Sequence, residues 1–371
     1  MKNVLILGVA SVQYDAIKTL NSMGYTTHAV AMAKDGPGAD EAHYFKEINI
    51  LDEEKIIDYI NDNNIDVVYS VGSDMAMPVV NSISEKLGLP HFVSQETAKI
   101  CNNKDLMRQT LGANFDGNLR FQIIEDTEEE VKLDYPFIMK PTDSQGQRGI
   151  VLVHDYEQFL EQFKDVKKYS RSGLVILEQY ISGPELSVNG YMLNGKLVFL
   201  EESDRETWPE YTGLIHKHIV PSVELPHTNK AYLKSIIEKA CNKLSIKNGP
   251  FYVQMKLENQ MPYIIEITPR LDGCHMWKLL TYYTELNLLE LTFEHLLENK
   301  VDKLKDYNAK NDNYVLEFIC QAPNTEADYE EYQEDINKSI ESFMYYNQGD
   351  VIRPVNNKYE KIGYMIYRGS N

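Results

Sequence analysis

The run YVQMKLENQMPYIIEITPR, residues 252–270, spaces an amide, a carboxylate, a hydroxyl and a guanidinium so that one surface can collect them. Side chains two apart on a strand share a face. If the run folds as two strands about a turn centred on Gln260, Gln254 lies opposite Glu266, and Thr268 and Arg270 continue the same face. The odd positions Phe251, Val253, Met255, Leu257, Tyr263, Ile265 and Ile267 then form an apolar face suited to a core. A carboxylate and an amide oxygen are hard ligands of the kind Mg²⁺ takes. A guanidinium grips phosphoryl oxygens with a planar fork. A solvated sheet face can carry the same residues, so the surroundings have to decide.

Those surroundings offer the rest of a nucleotide site. Lys104 precedes a helical segment, and Lys140 ends a strand just before the loop TDSQGQRG. A glycine loop can bring backbone N–H groups up to phosphate oxygens, with Ser144, Gly146 and Arg148 as the local contributors. Glu178 ends the next strand, and the backbone of Gln179, Tyr180 and Ile181 has donors and acceptors for an adenine edge. Glu185, seven residues on from Glu178, can accept from ribose hydroxyls. Each piece alone is a common surface feature.

Other polar residues cluster around these in sequence. Asp272 and His275 follow Arg270 directly and are placed to meet a substrate. Arg205, with Glu206 and Trp208, and the pair His216 and His218, which alternate along IHKHIV, can line an acceptor pocket. No HExxH motif or Cys/His cluster accompanies those histidines, so zinc is not expected.

The elements that must position this chemistry fall into two styles. The first hundred residues alternate strand and helix: VLILG, a helix from Val12 to Met23, TTHAVAM, the helix of DEEKIIDYINDNN, and the strand IDVVYSVGSD. Such βαβ alternation predicts a parallel sheet whose ligands gather beyond the strands' carboxyl ends, where Ser11, Gln13, Ser73 and Asp74 fall. The first turn reads GVASVQ, without the remaining glycines of a dinucleotide fingerprint. After residue 104 the pattern becomes strand, loop, strand, with a hairpin at Asn194-Gly195 and a helix from about Asn229 to Lys243. The tail is acidic around EADYEEYQED, a solvated surface, and includes the strand-like YVLEFIC and KIGYMIYRG.

At 371 residues the chain has room for two or three units. Lys+Arg 37 against Asp+Glu 56 leaves −19, which argues against a nucleic-acid surface. No segment reaches the length and apolarity of a membrane span. The N-terminal apolar run is brief and reads as a strand rather than a leader. Cys101, Cys241, Cys274 and Cys320 lie far apart and read as reduced thiols, so a cytoplasmic location is expected.

Taken in order, Lys104, Lys140, the glycine loop, LEQYISGPELSV, YVQMKLE and IIEITPR resemble the ATP-grasp superfamily over roughly residues 1–295. The branch it is most similar to holds carbamoyl-phosphate synthetase large-subunit domains and related carboxylate–amine ligases. The resemblance implies an α/β chain with a βαβ pre-ATP-grasp domain at 1–103. It implies an ATP-grasp domain at 104–300, with a mobile lid at about 120–177, and a small C-terminal subdomain at 301–371 packed on the core. It implies ATP held by Lys104, Lys140, Ser144, Gly146, Arg148, Glu178, Gln179, Tyr180, Ile181 and Glu185. Gln254, Glu266 and Thr268 would hold one or two Mg²⁺ ions, with Mn²⁺ able to substitute, and Arg270 would steady the transferred phosphoryl group. Thr268 departs from the family pattern, which has asparagine there. Ser73, Asp74, Arg205, His216, Asp272 and His275 are the substrate candidates. The implied reaction joins a small carboxylate to an amine through an acylphosphate, releasing ADP and phosphate, with a homodimer expected by analogy. Bicarbonate or carbamate activation and simple nucleotide binding are the alternatives.

Overall fold

A computed structural model describes residues 2–144, 148–211, 213–305, 307–355 and 359–369. Three sheets organise the chain. The first is parallel, with β1 Asn3–Leu7, β2 Thr26–Ala31, β3 Tyr44–Glu47 and β4 Val67–Tyr69 in the order β3-β2-β1-β4. Its inner strand β1 is buried from Val4 to Leu7, as a strand covered on both faces requires. Helices Ser11–Ser22 and Glu53–Asn63 serve as crossovers, and helix Ala76–Leu87 follows the last strand. Asp52 caps the second by accepting from the Lys55 amide at 3.2 Å. The edge strand β3 is absent from the sequence reading, because YFKE is short and mostly exposed and carries no burial signal.

The second sheet is a small antiparallel unit of β5 Phe121–Ile124, β6 Phe137–Pro141, β7 Val151–Val153 and β8 Val175–Gln179, ordered β5-β8-β6-β7. Helix Tyr156–Lys167 covers one face, and Phe137, Met139, Phe159, Phe163 and Leu177 make a core separate from those of the other sheets. The strand pair β6–β8 delivers Lys140 and Glu178 to the same neighbourhood.

The third sheet has eight antiparallel strands: β9 Glu185–Leu193, β10 Lys196–Thr207, β11 Ile215–Val220, β12 Gly249–Glu258, β13 Met261–Thr268, β14 Tyr314–Gln321, β15 Glu341–Met344 and β16 Glu360–Arg368. Their order is β13-β12-β9-β10-β11-β14-β16-β15, so the C-terminal strands continue the central sheet through the β11–β14 pair. Helix Lys230–Lys243 buries Leu233, Ile236, Ile237 and Ala240 against one face of it.

The β12–β13 hairpin forms as expected, with Gln254 paired to Glu266, but by a different route. Asn259 and Gln260 make a two-residue turn with φ of 51° and 67°, and the pairs nearest the turn run Glu258–Met261 to Met255–Ile264. Continued unchanged, that register would set Gln254 against Ile265. A β-bulge takes up Ile265 as an extra residue and hands the next pairing to Glu266. The bulge also corrects the expected apolar face of β13. Pro262, Ile264 and Ile267 are buried, while Tyr263 and Ile265 are only half-buried.

Candidate active site

Lys104 and Lys140 meet beside the small antiparallel sheet. Lys104 opens helix Lys104–Leu111, and its ammonium donates to the Ser144 carbonyl at 2.7 Å. Lys140 is buried, with Nζ 2.6 Å from Glu178 Oε2. Arg108, one helical turn beyond Lys104 and fully buried, donates through Nε to Glu178 Oε1 at 2.9 Å. Burial alone would raise the Glu178 carboxyl, but Arg108 and Lys140 outweigh it and hold the pKa at about 2. For Lys140, burial wins over the attraction of Glu178, and its pKa falls below the usual lysine value.

The Glu178 carboxylate is thus engaged by two cations, Arg108 and Lys140. The Gln179 side chain lies 3.4 Å from Glu258, the Lys256 ammonium sits over the Tyr180 ring, and Ile181 is buried. Gly146 lies outside the described residues, and Arg148, the first described residue after it, is exposed.

Arg108 also donates to the carbonyls of Ile264 at 2.7 Å and Ile265 at 3.0 Å. It therefore satisfies the backbone at the bulge that sets Glu266 in place. Sequence reasoning missed this residue, although its i,i+4 spacing from Lys104 was visible.

On the hairpin face, Gln254 Nε2 donates to Glu185 Oε2 at 3.0 Å, and Arg205 pairs with the same oxygen. Among the described residues the Glu266 carboxylate has no hydrogen-bond or ion-pair partner, and the buried Thr268 hydroxyl has none either. Unengaged hard oxygens on the face that carries Gln254 fit a divalent cation. Gln254 can present its carbonyl oxygen there while its amide remains bonded to Glu185.

Arg270 donates to Asp74 Oδ1 from Nε at 2.6 Å and to the Leu271 carbonyl from Nη1 at 2.9 Å. Asp74 sits beyond the carboxyl end of β4, as a ligand-facing loop of the parallel sheet should. The approach is close: a Cβ on Gly72 would stand 2.7 Å from Gly273 Cα, and Gly72 has φ of +64°. Only glycine serves there. Ser73, by contrast, turns its hydroxyl to the Ala76 amide at 3.2 Å, where it starts helix Ala76–Leu87.

Beside Arg270 lies a buried polar cluster. Arg205 on β10 stands opposite His218 on β11, and ligating atoms of His218, Asp272 and Cys274 lie within 4.8 Å of one another. Both His218 ring nitrogens, Asp272 Oδ2 and Arg205 Nε have no hydrogen-bond partner among the described residues. Burial, then Arg205 and Lys361, push His218 well below the usual histidine range, so the ring is neutral. Burial raises Asp272 against the pull of Arg270, Arg205 and Lys361, and it raises the Cys274 thiol to about 11.

Two substrate candidates leave the site. A bulge in the β10–β11 pair passes over His216, which turns to Glu317 at 2.9 Å and stacks on Trp208 instead of sharing the face of His218. His275 is fully buried behind the cluster, with Nδ1 2.7 Å from Asp15 and Nε2 3.0 Å from the Tyr345 hydroxyl. Asp15 on the first helix and Tyr345 near the C-terminus thus meet on one imidazole. The roles of Cys274 and Lys361, 87 residues apart, had no signal in the sequence.

Residues 133–277 match the family model of the ATP-grasp domain, a stretch that includes Lys140, Glu178, Glu185 and the β12–β13 hairpin. The chain is 24% identical to dapdiamide A synthase of Enterobacter agglomerans over 241 residues, 58% of this chain and 55% of that protein. It spans about half the length of the curated relatives it matches. Across the whole chain the fold superposes on an L-amino acid ligase from Bacillus licheniformis with a TM-score of 0.84 at 20% identity, covering 94% of that structure. It also superposes on the biotin carboxylase domain of the Hydrogenobacter thermophilus 2-oxoglutarate carboxylase, in complex with MgADP, ADP and bicarbonate. That match has a TM-score of 0.81 at 15% identity, over 99% of this chain and 86% of that one. Among the described residues no helix is long and apolar enough to cross a membrane.

Proposed function

We propose that the chain is an ATP-dependent ligase that joins a small carboxylate to an amine through an acylphosphate, releasing ADP and phosphate. The observation that carries this reading is the hairpin face, where unpartnered Glu266 stands opposite Gln254 and beside an Arg270 held by Asp74. Lys104, Lys140 and the glycine loop hold the phosphates, and the backbone after Glu178 holds adenine. With Arg205 displaced, Glu185 can receive the ribose.

Glu266, the Gln254 carbonyl and Thr268 hold Mg²⁺, as one or two ions and replaceable by Mn²⁺. The chemistry the metal supplies there is neutralisation of phosphoryl charge. Arg270 orients the γ-phosphoryl group toward the substrate carboxylate, and its two-point grip excludes alternative angles of attack. The reading lacks a covalent enzyme nucleophile, so the acyl group travels on phosphate. The division of the chain into 1–103, 104–300 with a lid at about 120–177, and 301–371 is part of this proposal, as is a homodimer of cytoplasmic location.

The test is a screen of carboxylate–nucleophile pairs for ADP release, with hydroxylamine supplied as a trap. An acid-dependent hydroxamate with ADP and phosphate as co-products is the expected result. AMP and pyrophosphate, or an isolable phosphoenzyme, would overturn the mechanism.

A further inference from the structure

Lys361 enters the buried cluster from β16, outside the stretch that matches the ATP-grasp domain. Its ammonium donates to Cys274 Sγ at 3.7 Å and lies 3.5 Å from the centroid of the Phe318 ring. Among the described residues no carboxylate pairs with it, since Asp272 is near enough to feel its charge but forms no ion pair with it. Lys361 is half-buried, and an ammonium held there by only a thiol and an aromatic face lacks a counter-charge.

Its neighbours are incomplete too. His218 is fully buried with both nitrogens unpartnered, Asp272 keeps one free oxygen, and Arg205 has an unpartnered Nε. Native interiors leave few such groups unmade, so several around one point indicate something that completes them.

The ligating atoms of His218, Asp272 and Cys274 are close enough together to consider a metal ion. Lys361, which no carboxylate among the described residues pairs with, decides against it, because a cation at the border repels a divalent ion and attracts an anion. We propose that this cluster seats a non-reacting carboxylate of a substrate on Lys361 and an N–H of His218. Asp272 Oδ2 accepts from a donor on an adjacent atom of the same molecule. That pattern belongs to an α-amino or α-hydroxy acid, and Lys361 is the residue that selects it. The inference rests on the ligase reading only in calling the molecule a substrate.

The experiment uses the full chain in the presence of Mg-ADP. Thermal shift is measured with a panel of L-amino acids and small α-hydroxy acids, each beside its α-amide. At least one acid raises the Tm, and its amide needs at least about tenfold more ligand for the same shift, because the site's ammonium loses its counter-charge. Lys361→Met removes that acid–amide gap while leaving the Mg-ATP shift unchanged, and Lys361→Arg keeps part of the gap.

Equal stabilisation by acid and amide, no shift with any acid, or a full gap in Lys361→Met would overturn the inference. The wild-type comparison needs no variant, so a misfolded Lys361→Met does not block the test. In turnover, Lys361→Met should raise the KM for the acid by at least about tenfold with kcat within about threefold. ADP release without acid–amide discrimination sinks this inference and leaves the ligase reading standing. Discrimination in binding without ADP release from any pair supports the site and sinks the ligase reading.

Discussion

Arg270 and Asp74 join the end of the β12–β13 hairpin to the carboxyl-terminal edge of the parallel sheet, with Nη2 2.5 Å and Nε 2.6 Å from one carboxylate oxygen. Burial lowers a guanidinium's hold on its proton, but Asp74 and Asp272 reverse that, and the Arg270 pKa ends above its ordinary value. Arg270 is a permanent cation whose direction is set by a residue 196 positions away. On the proposed function, the N-terminal sheet orients a residue of a site assembled mainly by other sheets.

Asp74→Asn should lower kcat by about tenfold to a hundredfold while nucleotide affinity changes less, because it loosens the group that meets developing charge. Arg270→Lys should cost more, since an ammonium has no planar fork. ADP release and Mg-ATP thermal titration, measured side by side, separate the two effects. Wild-type kinetics in Asp74→Asn would mean that Arg270 is oriented by something else.

Lys140→Ala should largely remove the rise in Tm that Mg-ATP gives the wild type, because a ligand stabilises only through binding the folded state. Glu178 keeps Arg108 as a partner in this variant, so the fold itself should persist. A retained Mg-ATP shift would assign Lys140 a purely structural role.

Glu266→Gln should reduce turnover by about two or more orders of magnitude at ordinary magnesium. Its carboxylate has no partner among the described residues, so the Tm without ligand should not fall. The combination of lost turnover and unchanged unliganded stability distinguishes a metal ligand from a structural acid. Near-normal turnover would remove Glu266 from the site.

Arg108→Met leaves the buried Glu178 with one cation fewer and strips two carbonyls at the bulge of their donor. A loss of about 3–5 kcal/mol is expected from breaking a buried pair. Denaturant unfolding gives the value, and a loss below about 1 kcal/mol would show that the pair is not structural.

Glu201, on β10 beside Glu202, is buried, and burial followed by Glu202 raises its pKa to about 7. An acid whose folded pKa exceeds its unfolded value binds its proton more tightly when folded, so stability falls as pH rises from about 4.5 to about 7. Glu201→Gln should therefore raise the Tm at pH 8, by the equivalent of about 1–3 kcal/mol, and have little effect below the unfolded pKa. A pH-independent difference would assign the effect to packing.

The hairpin that brings Gln254 against Glu266 was legible because strands have a period of two, so types at fixed intervals report a shared face. Gln254 and Glu266 were placed that way, and Arg270 follows just beyond the end of β13. The failures have physical causes. Alternation cannot see a bulge, which is why Ile265 was placed in the core and His216 beside His218. Periodicity also cannot see contacts between distant strands, so the Lys361–Cys274 contact carried no signal. Arg108 was overlooked because a cation on an amphipathic helix reads as surface, whereas here it is fully buried between β8 and the β12–β13 hairpin. The short strand β3 was missed because exposed polar residues leave no pattern.

The bulge at Ile265 also bears on which changes in chain length the hairpin can absorb. Removing Ile265 would delete the one unpaired residue and leave Gln254 opposite Glu266, with every other rung unchanged. Removing Asn259 or Gln260 would instead abolish the two-residue turn and force one strand to slide, turning its side chains to the opposite face. Insertions and deletions are thus unequal along this short stretch: a codon lost at 265 is silent for the pairing, and a codon lost at 259 or 260 is not. The twelve-residue separation of Gln254 and Glu266 is consequently a property of this chain's bulge and not a requirement of the pairing.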